Sequence, residues 1–89
     1  MIYIDIHKRI LEGLTELQFR EKMEESRAVF SHHYVKTLGT YCDPQRGRCF
    51  CVTEAIKPEA VEEAHKAAGM HCDEIYELVT FLQKAKEIP

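Results

Sequence analysis

The chain is poor in glycine and proline, with four and three among 89 residues. Together with 45% hydrophobic and 30% charged residues, this excludes collagen-like repeats and disorder and leaves a globular domain. No run approaches the ~18 consecutive apolar residues of a membrane span, so no membrane partner is expected. A basic excess is also missing. Twelve Lys and Arg against fifteen Asp and Glu leave a net charge of −3, which argues against nucleic acid as a partner. There is no serine in a nucleophile-elbow setting, no glycine-rich phosphate loop and no His-Glu-x-x-His helix. The expectations are therefore binding rather than catalysis, and no nucleotide cofactor. Met1-Ile2-Tyr3-Ile4-Asp5-Ile6 carries neither the basic region nor the cleavage site of a secretory signal, which points to the cytoplasm.

What is present is a regular succession of elements. Ile2 to His7 alternates, with Ile2, Ile4 and Ile6 on one face and Tyr3, Asp5 and His7 on the other, as in a half-buried strand. Thr15-Glu16-Leu17-Gln18 fits a capping box. Phe19, Met23, Ser26 and Phe30 then continue one helical stripe, and Glu16 and Arg20 are spaced to pair across a turn. Two β-rich runs, Tyr34–Cys42 and Arg48–Ala55, flank the turn Asp43-Pro44-Gln45-Arg46-Gly47 and predict a hairpin. Pro58 opens a second helix whose inner face is Val61, Ala64 and Ala68, and Gly69 closes it. A last strand is expected over Glu74–Leu82. The order β-α-β-β-α-β predicts a ferredoxin-like α+β domain over 1–83: an antiparallel sheet of order 4-1-3-2 with both helices on one face, followed by a polar tail, 84–89. An apolar open face would remain, and a second copy of the chain is the simplest cover for it, giving a dimeric α+β barrel.

Five His and four Cys carry most of the available chemistry. Cys42 and Cys49 flank the hairpin turn as cross-strand neighbours, and Cys51 shares a face with Cys49. Three readings are open for these thiols: small buried hydrophobes, ligands for zinc, copper or nickel, or a Cys42–Cys49 disulfide. A second group, His7, His32, His33, Glu54, His71 and Cys72, is expected at the far edge of the sheet. Eight strand residues span ~26 Å, which would keep Cys72 away from Cys42 and Cys49. That rim is either solvated or metal-binding. His65 stands apart on the second helix, as a boundary histidine or a ligand. Asp5 and His7 share a face of the first strand and could form an acid–base pair within a cavity on the open side of the sheet.

Thr40-Tyr41, then Arg48-Cys49-Phe50-Cys51-Val52-Thr53-Glu54-Ala55, Pro58 through Gly69 and Asp73-Glu74-Ile75 together resemble a family of small ferredoxin-like nickel-binding proteins, long catalogued as a domain of unknown function. The resemblance runs from Tyr3 to Leu82. It implies a homodimer, nickel as a candidate metal and no settled activity. Cys51, Glu54 and His65 match the family pattern. Thr53 stands where the pattern has Tyr, His71-Cys72 where it has Pro-Ala, and Cys42 and Cys49 are additions. The expected function is binding of a soft or borderline divalent ion (nickel, zinc or copper) by some of Cys42, Cys49, Cys51, His65, His71 and Cys72. The alternatives are a small-molecule or enzymatic site in the open-face cavity, or an interaction module with no site.

Overall fold

The computed structural model describes residues 1–81. Six elements follow in the expected order: β1 (Ile2–His7), α1 (Glu16–His32), β2 (Lys36–Asp43), β3 (Arg48–Glu54), α2 (Pro58–Ala67) and β4 (Glu74–Leu78). The strands form one antiparallel sheet in the order β2-β3-β1-β4, which is the ferredoxin-like order 4-1-3-2 read from the other edge. Leu82 and the polar tail 84–89 lie outside the described residues.

Both helices are delimited by local chemistry. Thr15 caps α1 reciprocally: its hydroxyl accepts from the Gln18 N–H at 3.1 Å and its own N–H donates to Gln18 Oε1 at 2.9 Å. Arg20 reaches back to Glu16 at 2.9 Å on the wet side. The two helices end alike. After α2, the Met70 N–H bonds the His65 carbonyl and the Gly69 N–H the Lys66 carbonyl, with Gly69 at φ 68. After α1, Val35 bonds back to Phe30 and Tyr34 to Ser31, with Tyr34 at φ 60. Each closure buries the next residue, Val35 or Met70, in the core.

That closure explains a correction at β2. Tyr34 belongs to the left-handed turn that ends α1, so the strand begins at Lys36 rather than Tyr34. β4 is also shorter than expected and stops at Leu78, leaving Val79 and Phe81 exposed.

Two larger corrections concern β1. Tyr3, Asp5 and His7 are the residues that face the helices, at 1%, 0% and 1% exposure, while Ile2, Ile4 and Ile6 are half-buried on the open face. The apolar face of the strand is thus the uncovered one. Its polar face is buried because the side chains on it bond one another and α2. With Tyr3, Asp5 and His7 under the helices, the proposed polar cavity on the open side of the sheet loses its basis.

The second correction concerns the ends of the sheet. β1 runs antiparallel to β3, so His7 pairs with Cys49 beside the hairpin turn and Ile2 pairs with Glu54. Asp73 ties the start of β4 to the same end, its N–H donating to the Ile6 carbonyl. His7, His71 and Cys72 therefore sit at the end that carries Cys42 and Cys49, while His32, His33 and Glu54 occupy the opposite end. The expected single rim does not exist.

Tyr34 is 87% exposed, so its side chain contributes little packing to offset a left-handed backbone that costs an L-residue about 1–2 kcal/mol. Tyr34→Gly is expected to raise stability by roughly 0.5–1 kcal/mol after the added chain entropy of glycine. Thermal unfolding checks this, and a lower Tm would contradict it.

Candidate metal centre

The buried face of β1 and one turn of α2 build a compact polar centre. Asp5 projects from β1 between Tyr3 and His7, and His65 reaches down from α2 onto it. Asp5 Oδ2 meets His7 Nε2 at 2.5 Å and His65 Nε2 at 2.9 Å. The imidazole rings stack with centroids 5.1 Å apart, and Phe30 packs edge-on against His65 at 4.7 Å. All three polar residues are at most 2% exposed.

The far side of each ring fixes its tautomer. His7 Nδ1 lies 2.7 Å from the His71 carbonyl, and His65 Nδ1 lies 2.7 Å from the Val61 carbonyl. A carbonyl oxygen only accepts, so both Nδ1 atoms carry the proton and donate it. The β4 loop holds the His71 carbonyl in place, because Asp73 accepts the Lys8 N–H at 2.7 Å. Both Nε2 atoms are thereby aimed at one carboxylate oxygen. A proton on one Nε2 satisfies one contact. The other needs either a second imidazolium stacked on the first or a cation that both nitrogens can coordinate.

Burial disfavours the His7 imidazolium, but the hydrogen bond to Asp5, the Cys51 side chain and the His71 carbonyl outweigh it and hold its pKa at about 10. Burial likewise opposes the Asp5 carboxylate. Hydrogen bonds from His65 and then His7 prevail, so its pKa lies below the ordinary value.

The donor set suits a divalent ion. Two imidazole nitrogens and a carboxylate oxygen lie within 4.8 Å of one another. Each ring's other N–H is held by a backbone carbonyl, the usual outer-shell support of a histidine ligand. Asp5 Oδ1 is buried with no hydrogen-bond partner among the described residues, so the carboxylate has unused acceptor capacity. The residues fit a borderline metal.

Of the six residues named from the sequence as possible ligands, His65 lies in this centre. Cys51 is buried on the same sheet face, paired with Asp5 across β3 and β1, and its Sγ lies 3.7 Å from Thr40 Oγ1. Cys42 and Cys49 are joined in a disulfide, one of the three readings of these thiols. The ring of His71 is 84% exposed beside Asp73, and only its backbone carbonyl serves the centre. The Cys72 thiol donates to the Glu74 carbonyl at 3.3 Å. Burial, then the nearby Asp5 carboxylate, push its pKa up to about 12, which keeps it a protonated, inert thiol. The sequence puts Asp5 and His7 together on one face of β1 as a possible acid–base pair but does not bring His65 to them. The usable clue was Asp-x-His on a strand pairing with β3, combined with a histidine on the helix above it.

The chain matches the family described as nickel responsive protein SCO4226-like over residues 3–78, which takes in all or most of every element. It belongs to that family. The crystal structure of SCO4226 from Streptomyces coelicolor A3(2) has 29% sequence identity and a TM-score of 0.80 to this SCO4226-like chain, covering 92% of it and 100% of the other. A search of curated proteins finds no match. Among the described residues of this SCO4226-like protein, no helix is long and apolar enough to cross a membrane.

The centre gives the ion-free SCO4226-like chain a definite pH response. Because the His7 pKa is raised from 6.5 to about 10, its contribution to stability is complete below about 6.5 and is lost as the pH rises through about 10. That of Asp5 holds above the ordinary carboxylate range and is lost on acidification. The Tm difference between the ion-free protein and His7→Gln is expected to shrink between those two pH values. A difference independent of pH across that window would contradict the assignment.

Proposed function

We propose that this chain binds one borderline divalent ion, nickel foremost, through the Nε2 atoms of His7 and His65 and the Asp5 carboxylate, and that it does so as a homodimer. The observation that carries the metal reading is the convergence of two carbonyl-anchored imidazoles on one buried carboxylate oxygen. An ordinary structural histidine needs no such arrangement, since a single imidazole donates to one acceptor and accepts from another. The family description as nickel responsive supports nickel ahead of zinc and copper, and imidazole–carboxylate donors are compatible with that choice.

The dimer is supported by the open face of the sheet. Ile2, Ile4, Ile6, Phe50 and Val52 lie there half-buried, with Tyr76 and Leu78 more exposed. A two-fold partner would meet this face with an identical apolar surface, and specific interfaces bury about 800 Å² per partner.

Calorimetric titration of the ion-free protein with nickel and zinc tests the first part. One ion per chain is expected, with nickel Kd at or below about 1 μM, equivalent to about −8 kcal/mol. Asp5→Asn and His65→Gln are each expected to weaken it at least tenfold, about 1.4 kcal/mol. Binding no tighter than about 1 mM, or unchanged in both variants, would overturn the reading. For the second part, Ile4 sits at the centre of the open face, paired to Val52 and Tyr76. Sedimentation should give a dimer that Ile4→Glu converts to monomer; a monomeric wild type would contradict the dimer.

A further inference from the structure

We propose that the Cys42–Cys49 disulfide is a redox gate on the Asp5–His7–His65 centre, and that its reduction frees Cys49 to join the centre as a thiolate donor to a divalent ion. The inference rests on the metal reading above and adds its regulation.

The argument begins with the position of Cys49 between two neighbours. β3 lies between β2 and β1, and on its buried face Cys49 pairs with Cys42 on one side and His7 on the other. Directly opposed residues in an antiparallel pair have Cβ atoms about 4.5–5.5 Å apart. The sulfur of Cys49 is therefore within a side-chain rotation of either neighbour. The disulfide commits it to β2; once that bond is broken, the thiolate can turn towards His7. Cys49 is 0% exposed, so the freed sulfur stays inside the protein.

Charge favours that move when an ion is present. Two neutral imidazoles and one carboxylate leave a divalent ion with one uncompensated positive charge, in a pocket whose ligands are at most 2% exposed. An uncompensated buried charge is costly. A thiolate from Cys49 cancels it. Thiolate also softens the donor set, which moves preference towards thiophilic ions such as zinc. Cys51 is a free thiol when the disulfide is formed and when it is reduced, so Cys51 cannot itself supply a dependence on redox state.

The reaction needs a reductant, and a low-molecular-weight thiol is sufficient. Cys42 is the exposed partner and lines a cleft of about 940 Å³ between α1 and β2 that also reaches Cys51. The small thiolate attacks Cys42 Sγ, forms a mixed disulfide with it and expels Cys49 as the thiolate. A second small thiol resolves the mixed disulfide, leaving Cys42 as a thiol and the two small thiols joined as their own disulfide. Two electrons pass to the protein. The two protons given up by the small thiols end on Cys42 and, when no ion is bound, on Cys49.

Anaerobic zinc titration of the disulfide form and of the phosphine-reduced form, with cobalt(II) as a spectroscopic probe, tests this. The reduced wild type is expected to bind zinc at least tenfold more tightly and to show a stronger thiolate-to-cobalt charge-transfer band. The two disulfide partners should behave oppositely: Cys42→Ser binds tightly under all conditions, and Cys49→Ser stays at the weak affinity of the disulfide form. Cys49→Ala substitutes if the serine variant fails to fold. Cys51→Ser keeps the redox dependence. Equal affinity in the two wild-type forms, the same affinity in the Cys42 and Cys49 variants, or loss of redox dependence in Cys51→Ser would each overturn the gate. If both wild-type forms bind tightly and equally, the gate alone fails; if neither binds, the metal reading fails with it.

Discussion

One carboxylate oxygen, Asp5 Oδ2, receives the Nε2 atoms of His7 and His65, and the buried half of the molecule is organised around it. The contact joins β1 to α2 through residues sixty positions apart in the chain. It also accounts for the orientation of β1: Asp5 and His7 can lie under the helices because each finds a partner there. Without His65, Asp5 would keep His7 as its one side-chain partner, and a buried carboxylate short of partners is costly. The core of Tyr3, Phe30, Val35, Ala55, Val61, Ala64 and Met70 then surrounds a polar centre. Part of the role usually played by an apolar strand face is taken by hydrogen bonds.

Much of the fold was legible in the residues. The reciprocal cap at Thr15, the proline at the start of α2 and the glycine after it are local devices with local meaning, and each delimits a helix as expected. The element order then restricted the topology to a few choices, and the sheet has the expected strand order. What could not be read locally was which face of β1 is covered. Period-two alternation separates two faces but does not say which one meets the helices. Hydrophobicity favoured the isoleucine face, and only the partner on α2, brought in by the fold, reverses that.

The site was less legible for the same reason. Asp5 and His7 share a face of β1 and His65 stands on α2, but nothing in the residues alone says that this face lies under that helix. The thiols were visible as a cluster at the turn. Their state was not, since ligands, buried hydrophobes and a disulfide all satisfy the same spacing. Tyr34 shows the limit at the scale of one residue: it is a good strand former, yet it closes α1 in a left-handed turn because the Val35 and Phe30 contact needs the chain to reverse there.

The fold places these features where they can act together. The end of the sheet that carries the hairpin turn also carries the end of β1 and the β4 loop, so a backbone carbonyl from the loop, a histidine from β1 and a cysteine from β3 meet beneath α2. The account as a whole depends on each ring keeping its Nδ1 proton on a backbone carbonyl, so that both Nε2 atoms can turn from Asp5 to a metal ion. Nitrogen-15 NMR of the His7 and His65 rings, before and after one equivalent of zinc, tests this most directly. The account predicts protonated Nδ1 in both rings throughout and a change confined to the two Nε2 atoms when zinc is added. An Nε2–H tautomer in the zinc-loaded form of either ring, or Nε2 resonances unmoved by zinc, would contradict it.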